Sequence, residues 1–122
     1  KQQATNCSHP HISAPEIPAC YFEVEKNLNY SEISKICQQH GMHVTSVLSK
    51  KENDFLTTFL TRKYGDSFKH FLGLTEQGTW EDGSPISFIN GSFEHPVGIT
   101  MFGWENLSNG PYYGMCKRFS CD

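Results

Sequence analysis

The amino-acid sequence predicts an α+β fold in which two helices flank small antiparallel sheets. Two stretches in the first half of the chain, ending at Gly41 and Gly65, carry apolar residues at helical spacing. Short segments with strand character flank both stretches, and the second half contains strand candidates and loops without a further helical pattern. This order differs from the regular alternation of strands and helices that builds a parallel sheet.

The N-terminal arm, residues 1–19, is polar and interrupted by prolines, so we expect a loop that ends at Cys20. A disulfide between Cys7 and Cys20 would close the arm and would stabilise the fold by about 3 kcal/mol in the chain-entropy model. Residues 21–24 follow as a strand candidate because they combine aromatic and β-branched side chains.

The first helix is predicted to begin behind Asn29, because Asn29 and Glu32 form a variant of the capping box. Gly41 is predicted to end it, since glycine readily takes the left-handed conformation that follows many helices. The apolar face of this helix would carry Ile33, Ile36 and Cys37.

The second helix is predicted to begin behind Ser49, where Ser49 and Glu52 form a capping box, and to end at Gly65. Its buried stripe would consist of Phe55, Leu56, Phe59 and Leu60.

The strand candidates outside the arm are residues 44–48, 68–74, 99–102 and 115–121. Residues 79–85 form a predicted turn, whose Asp82-Gly83 step tolerates positive φ. Most of residues 88–110 is rich in glycine and asparagine, which predicts a loop-rich face in the second half of the chain.

Length and charge limit the function. A chain of 122 residues predicts a single domain spanning residues 1–122. The balance of 13 acidic against 10 basic residues, without a basic block, argues against binding of nucleic acid or of an anionic membrane. No apolar stretch approaches the roughly 20 residues that a membrane-spanning helix needs, so we expect no membrane insertion by this segment.

Cysteines and sequons indicate an extracellular protein, either secreted or the ectodomain of a membrane protein. Five cysteines without a Cys-x-x-Cys pair favour disulfides over a metal site, and one thiol must lack a partner within the chain. The start at Lys1, without a leader, suggests a processed or trimmed ectodomain. The asparagines of the four N-glycosylation sequons are Asn6, Asn29, Asn90 and Asn106.

Several motifs together resemble the long form of the C-type lectin-like domain. The spacing of Cys7 and Cys20 is similar to the family's N-terminal bridge, and the segment from Cys37 to Phe55 is similar to its first-helix cysteine, following strand and second helix. Phe-Leu-Gly-Leu at residues 71–74 resembles the family's Trp-Ile-Gly-Leu strand, and Trp-Glu-Asp-Gly-Ser at residues 80–84 resembles its Trp-x-Asp-Gly-Ser turn.

The resemblance implies a site for calcium and sugar, but the calcium-binding motifs of the family are altered. The nearest counterparts are Glu94-His95-Pro96 and Trp104-Glu105-Asn106, and Asn106 is also a sequon asparagine. Calcium would need oxygen ligands from Glu94, Glu105 and Asn106. We therefore favour the absence of a cofactor, as in calcium-independent members of the natural-killer-receptor type, and keep calcium at a degenerate sugar site as the alternative.

The resemblance also bears on the disulfides. The family's inner-loop bridge lacks a second cysteine near residues 99–101, and only four residues separate Cys116 from Cys121. We favour a bridge from Cys37 to Cys121, which leaves Cys116 as a free thiol or as the bridge of a homodimer. A bridge from Cys37 to Cys116 remains open.

We expect an extracellular recognition module rather than an enzyme, since serines and histidines are scattered without a Gly-x-Ser-x-Gly elbow. The favoured ligand is a protein, bound without calcium by residues 88–110 and the strand end near Tyr112. A glycan-binding lectin is the first alternative and a small secreted enzyme the second. Trp104 is either a ligand-binding aromatic or part of the core. The candidate ligand-binding residues are Glu94, His95, Trp104, Glu105, Asn106, Tyr112 and Tyr113.

Overall fold

The computed structural model describes residue 7 and residues 11–14, 16–107 and 111–119, and it confirms the α+β fold. Nine helices and strands lie in these described segments. In chain order they are β1 (Ile12–Ala14), β2 (Ile17–Leu28), α1 (Tyr30–Gln39), β3 (His43–Val44), α2 (Lys50–Tyr64), β4 (Lys69–Phe71), β5 (Val97–Thr100), β6 (Gly103–Asn106) and β7 (Tyr112–Phe119). None of the helices in the described segments is long and apolar enough to span a membrane.

The strands form one seven-stranded sheet in the order β1-β2-β7-β4-β5-β6, with β3 paired to β7. This differs from the predicted small antiparallel sheets, because β4 and β7 are parallel and join the two halves into one layer. Their register places His70 beside Tyr113 and Phe71 beside Gly114. Local sequence patterns do not reveal such a pairing, since its partners lie more than 40 residues apart.

Both predicted helices are confirmed with their caps. The Asn29 side chain accepts a hydrogen bond from the Glu32 backbone, and the Glu32 carboxylate accepts one from the Asn29 backbone, which completes the capping box of α1. The Ser49 side chain accepts a hydrogen bond from the Glu52 backbone, but the Glu52 carboxylate accepts from the Leu48 amide and not from that of Ser49. The predicted capping box of α2 is therefore only half formed, and Gly65 follows the helix with a φ of 87°. The local signals for helix start and stop are therefore sufficient here.

The buried face of α2 differs from the predicted stripe. Leu56 and Leu60 are buried, whereas Phe55 and Phe59 are only partly buried at the edge of the main core cluster. Glu52, predicted only as a capping residue, is buried as well. The helix thus turns its Leu56 and Leu60 side toward the sheet.

The N-terminal arm and the second half contain more strand than predicted. Within the arm, β1 pairs with the start of β2, so this part of residues 1–19 is a hairpin rather than a loop. The strand predicted at residues 99–102 is β5 ending at Thr100, and β6 was not predicted. The turn at residues 101–102 reverses the chain, which makes β5 and β6 an antiparallel hairpin.

Two disulfides close the fold, and one of them corrects the prediction. Cys7 pairs with Cys20, as expected. Cys37 pairs with Cys116, with a Cα–Cα distance of 5.4 Å, so the favoured bridge from Cys37 to Cys121 is wrong. The reason is that α1 packs on β7, where Cys37 and Cys116 lie in the same buried cluster. Cys116 is therefore neither a free thiol nor the bridge of a homodimer, and Cys121 lies outside the described residues.

Candidate functional site

The β5–β6 hairpin is the frame of the candidate ligand face. A segment before the hairpin lies along the outer edge of β6: the Trp104 amide donates to the Asn90 carbonyl at 2.8 Å, and the Ser92 amide donates to the Trp104 carbonyl at 3.0 Å. Gly91 and Trp104 form a parallel bridge there. Residues 90–92 therefore cover part of an edge that would otherwise expose unpaired backbone groups.

Trp104 belongs to the core and is not an exposed ligand-binding aromatic. Its side chain is buried, and its indole nitrogen donates to the Asn53 side-chain oxygen at 2.9 Å. Its ring packs edge-on against Trp80 and Phe88, with ring centroids 5.7 and 5.9 Å apart. Because α2 supplies the polar partner for the indole, Trp104 can be buried without an unsatisfied donor. The prediction that Trp104 binds a ligand is therefore wrong, and the alternative that it belongs to the core is confirmed.

Exposed apolar side chains lie instead at the turn between β5 and β6 and at Ile89. Phe102 is 83% exposed, Met101 42% and Ile89 52%. Ile89 and Phe102 each lie within two residues of the backbone hydrogen bond between Asn90 and Trp104. We call Ile89, Met101 and Phe102 the apolar tip.

The segment that carries the apolar tip contains few charges of its own, and the Lys69–Glu105 ion pair lies beside Thr100 at the base of the turn. Between Asp82 and Glu105 the sequence contains a single charged residue, Glu94. Depletion of charge with an exposed aromatic residue is typical of the centre of protein-binding surfaces. The sequence shows the missing charges, but only the structure shows that Phe102 is exposed.

His95 and Asn106 are held by backbone carbonyls. The Asn106 amide nitrogen donates to the carbonyls of Glu94, at 2.9 Å, and Pro96, at 3.3 Å. The His95 Nδ1–H donates to the carbonyl of Leu74 at 2.6 Å. These bonds fasten the segment around Pro96 to Leu74, which follows β4, and to Asn106, the last residue of β6.

The predicted calcium ligands do not form a converging set of oxygens. Glu105 faces Lys69, with 3.7 Å between ammonium and carboxylate, and accepts from the Thr100 hydroxyl at 3.5 Å. Asn106 turns its amide nitrogen, not its oxygen, toward the neighbouring carbonyls. Among the residues that the structure describes, no three His, Cys, Asp or Glu side chains are close enough together to hold a metal ion. Calcium takes six to eight oxygens, and in this arrangement Glu105 and Asn106 are engaged with protein groups.

His95 and Asn106 line an open groove of about 820 Å³ between α1 and the strand ends. One wall is α1, and the other is the turn at residues 75–77. The floor includes Phe71 and Leu107, both buried. The residues of α1 that line the groove, together with the N-cap residue Asn29, are Asn29, Tyr30, Ser31, Ser34, Lys35 and Gln38.

Tyr30 is positioned at the floor of this groove. Its hydroxyl donates to the Glu81 carboxylate at 2.6 Å, and its ring meets His95 edge-on at a centroid distance of 4.8 Å. Burial, together with the neighbouring Glu81 carboxylate, raises the pKa of the Tyr30 hydroxyl. The hydroxyl therefore remains a neutral donor to Glu81.

Tyr112 and Tyr113 do not join His95 and Asn106 in the groove. Both line a separate cavity of about 350 Å³ on the other side of β4. Tyr112 packs edge-on against Phe71, and Tyr113 packs against His70. The predicted ligand-binding residues thus fall into several places: the groove, the core, the exposed loop surface and this second cavity.

A buried carboxylate with a lowered pKa, Glu23, lies near Tyr113, since both contact His70. Burial disfavours the charged carboxylate, but hydrogen bonds from His70 at 3.0 Å, from Lys63 at 2.8 Å and from the Tyr64 hydroxyl outweigh it and lower the Glu23 pKa to about 2. His70 Nδ1 is buried and has no hydrogen-bond partner among the described residues. The cluster is a buried ionic network that joins β2, α2 and β4.

Sequence reasoning missed the two surfaces that the structure brings out, the apolar tip and the α1 wall of the groove. The α1 wall could be recognised in the sequence only as a glycosylation sequon, formed by Asn29, Tyr30 and Ser31. Nothing in the sequence showed that these residues face a cavity. Phe102 was assigned to a strand. Its exposure follows from the turn at residues 101–102.

Comparison with known proteins gives one consistent match. The model of the Lectin C-type domain family matches residues 26–111, more than half of the chain. The C-type lectin domain family 4 member F of Mus musculus is 39% identical over 72 residues, which is 55% of this chain and 12% of that relative. The chain therefore corresponds to a small part of this longer relative.

Solved structures agree in fold. Human lithostathine superposes with a TM-score of 0.78 and 19% identity, covering 94% of this chain and all of that one. A structure described as a calcium-independent type II antifreeze protein superposes with a TM-score of 0.78 and 14% identity, covering 99% of this chain and all of that one. At these identities the likeness shows the fold alone.

Proposed function

The chain belongs to the C-type lectin domain family, and on this premise we propose that it is an extracellular recognition module that binds a protein without calcium. The family and its structural neighbours are non-enzymatic binding modules, so recognition without catalysis is the family-level function. The kind of ligand, the place where it binds and the independence from calcium are the parts that we propose.

The observation that carries the proposal is the exposure of Phe102. Phe102 is 83% exposed at the end of a two-residue turn, so its side chain covers no core and lacks the favourable free energy that burial of a phenylalanine provides. Met101 and Ile89 extend the same surface. Clustered aromatic and methionine side chains are enriched at protein interfaces, where a few such residues supply most of the binding energy.

The surroundings of the tip favour a protein over a sugar as its ligand. Sugar recognition by this face would rest on polar groups and an ion, but Asn106 is occupied by two backbone carbonyls and Glu105 faces Lys69. The tip segment has few charges, and the neighbouring Lys69 and Glu105 have opposite signs, so this surface offers little electrostatic steering. We therefore expect binding whose affinity changes little with salt.

Two parallel arrays test the proposal, one of extracellular protein domains and one of glycans, both probed with the tetramerised chain in EDTA. We expect a protein ligand whose binding to Phe102→Ser is weaker by at least about tenfold, as for an interface hot spot. Phe119→Ser is the matched control, since Phe119 is 44% exposed at the far end of β7. Binding only to glycans, or equal losses in both variants, would contradict the proposal.

A thermal melt tests the calcium-independent part separately. A ligand that binds the folded state raises its melting temperature, so a resident calcium ion would be visible as a shift between calcium and EDTA. We expect less than about 1 °C of difference. A rise of several degrees with calcium would show that the carbonyl bonds of Asn106 give way to an ion.

A further inference from the structure

One N-glycosylation sequon lies in the groove itself. Asn29, Tyr30 and Ser31 are consecutive residues of the sequon, and all three line the cavity of about 820 Å³. This volume lies in the range of about 300–1,000 Å³ found for sites that bury small ligands. A sugar attached at Asn29 would therefore start at the mouth of a cavity large enough to take it.

The Asn29 side chain is already oriented, and its nitrogen is available. Its oxygen accepts the Glu32 backbone hydrogen bond at 2.8 Å as the cap of α1. The Asn29 side-chain nitrogen, Nδ2, has no hydrogen-bond partner among the described residues, and Asn29 is exposed. N-glycosylation replaces one hydrogen on that nitrogen and leaves the oxygen free, so the helix cap and the glycan are compatible.

Asn106 is the opposite case. Both of its amide hydrogens are used, because the nitrogen donates to the carbonyls of Glu94 and Pro96. A glycan on that nitrogen would remove one of the two bonds that hold the segment around Pro96. The structure therefore distinguishes between two sequons that the sequence leaves equivalent.

The walls of the groove suit a neutral, hydroxyl-rich ligand over an aromatic floor. The Tyr30 ring is fixed by the Glu81 hydrogen bond, and one side of a sugar ring can pack on such an aromatic surface. Ser31 and Gln77 present a hydroxyl and an amide from opposite walls. Within the described part of the chain the Lys35 ammonium has no ion-pair partner, which leaves it free to bind sugar oxygens.

We propose that an N-linked glycan on Asn29 folds back and that its first sugar residues occupy the groove beside α1. The attachment makes the sugar an intramolecular ligand with a high effective concentration, so weak contacts suffice to hold it. It stabilises the fold at α1, and it closes the groove to other molecules. The proposal does not depend on the protein ligand of the apolar tip, which lies on a different part of the surface.

The experiment compares glycoforms of the chain secreted from a eukaryotic cell. Ser31→Ala removes the sequon but keeps Asn29 and its cap, and Asn90→Gln removes an exposed sequon beside the apolar tip as the matched control. We expect peptide mass spectrometry to find a glycan on Asn29. We expect Ser31→Ala to lower the melting temperature by about 3–8 °C, roughly the shift that one interaction of moderate strength produces, and Asn90→Gln by less than about 1 °C.

Enzymatic trimming locates the stabilising sugars. Trimming to a single N-acetylglucosamine should keep at least half of the shift, whereas complete removal, which converts Asn29 to an aspartate that can still cap α1, should abolish it. Because the Ser31→Ala substitution has its own effect on the helix, both proteins are also compared after complete removal. Lys35→Ala and Gln77→Ala should lower the melting temperature of the glycosylated chain only.

Three results would overturn the proposal. The first is an unmodified Asn29 in the secreted chain. The second is a melting temperature that does not change when the Asn29 glycan is removed. The third is an equal effect of Lys35→Ala and Gln77→Ala on the melting temperatures of the glycosylated and the deglycosylated chain. The walls of the groove would then not hold the sugar.

Discussion

Lys117 is a buried lysine that replaces part of the apolar core between β7 and α2. Its ammonium lies 2.6 Å from the Glu52 carboxylate and 3.0 Å from the Ser46 hydroxyl, and both charged side chains are almost fully buried. Glu52 also accepts hydrogen bonds from the Tyr21 hydroxyl at 2.5 Å and from the Leu48 amide at 2.8 Å. A buried network of this kind stabilises the fold only while each charged and polar group has its partner.

We predict that Lys117→Met destabilises the fold by about 3–5 kcal/mol, because it leaves the Glu52 charge buried without its counter-ion. Lys50→Met is the control: Lys50 pairs with Asp54 at 2.8 Å, but both side chains are exposed, so its loss should cost less than about 1 kcal/mol. Urea unfolding of the three proteins measures the difference. Equal losses would show that the buried pair contributes no more than a surface pair.

Glu23 gives the fold a sensitivity to acid. Its pKa of about 2 in the folded state lies below the usual value near 4.5, so the folded state favours the ionised carboxylate. This stabilisation is complete above about pH 4.5 and is lost as the pH falls toward 2. At about 1.4 kcal/mol per unit, the loss amounts to about 3 kcal/mol.

Accordingly, the free energy of unfolding of the wild type should fall more steeply between pH 4.5 and 2 than that of Glu23→Gln, and the two curves should converge at low pH. Denaturant titrations at several pH values measure both slopes. Parallel curves would mean that Glu23 titrates alike in the folded and unfolded chains. Glu25→Gln serves as a control on the same strand, since Glu25 contacts Lys63 from an exposed position.

At the scale of the elements, α1 is attached to β7 by close packing and by a covalent bond. A side chain at Gly114 would collide with Ile33, so glycine is needed where the helix crosses the strand. The disulfide between Cys37 and Cys116 lies in the same contact. Glu81 adds hydrogen bonds from Tyr30 and from Ser34, at 2.6 and 3.0 Å. This attachment fixes the α1 wall of the groove.

We predict that Cys37→Ala with Cys116→Ala costs more than Cys7→Ala with Cys20→Ala. The first bridge spans 79 residues and the second 13, which corresponds to about 4.5 and about 3 kcal/mol in the chain-entropy model. Chemical denaturation of the two double variants tests the order. A larger loss for the N-terminal bridge would show that anchoring of β1 and β2 outweighs closure of the long loop.

At the scale of the whole molecule, the cysteines determine how two copies can be linked. Four of the five form the two bridges within the chain, which leaves Cys121 by count. We predict that any dimer band in a non-reducing gel disappears in Cys121→Ser and in reducing agent. A dimer that persists in Cys121→Ser without reductant would show that one of the four other cysteines exchanges between chains.

Local signals predicted the helices and little of the sheet. Asn29 and Ser49 cap helices through neighbours three residues away, and such contacts are visible in the sequence. The missed strand β6 depends on the turn after Thr100, and the parallel pair of β4 and β7 joins distant segments. Strand pairing is set by tertiary contacts, so a single sequence indicates strands less well than helices.

The candidate site, like the fold, could be predicted only where local sequence signals suffice. The motifs by themselves determined the family, the α+β class, both helices and the bridge between Cys7 and Cys20, because each depends on residue type and short spacing. Only the tertiary structure decided that Trp104 is buried, that Phe102 is exposed and that the Asn29 sequon faces a groove. The physical reason is that burial and exposure depend on which distant segments cover a side chain, and that depends on how the strands and helices pack.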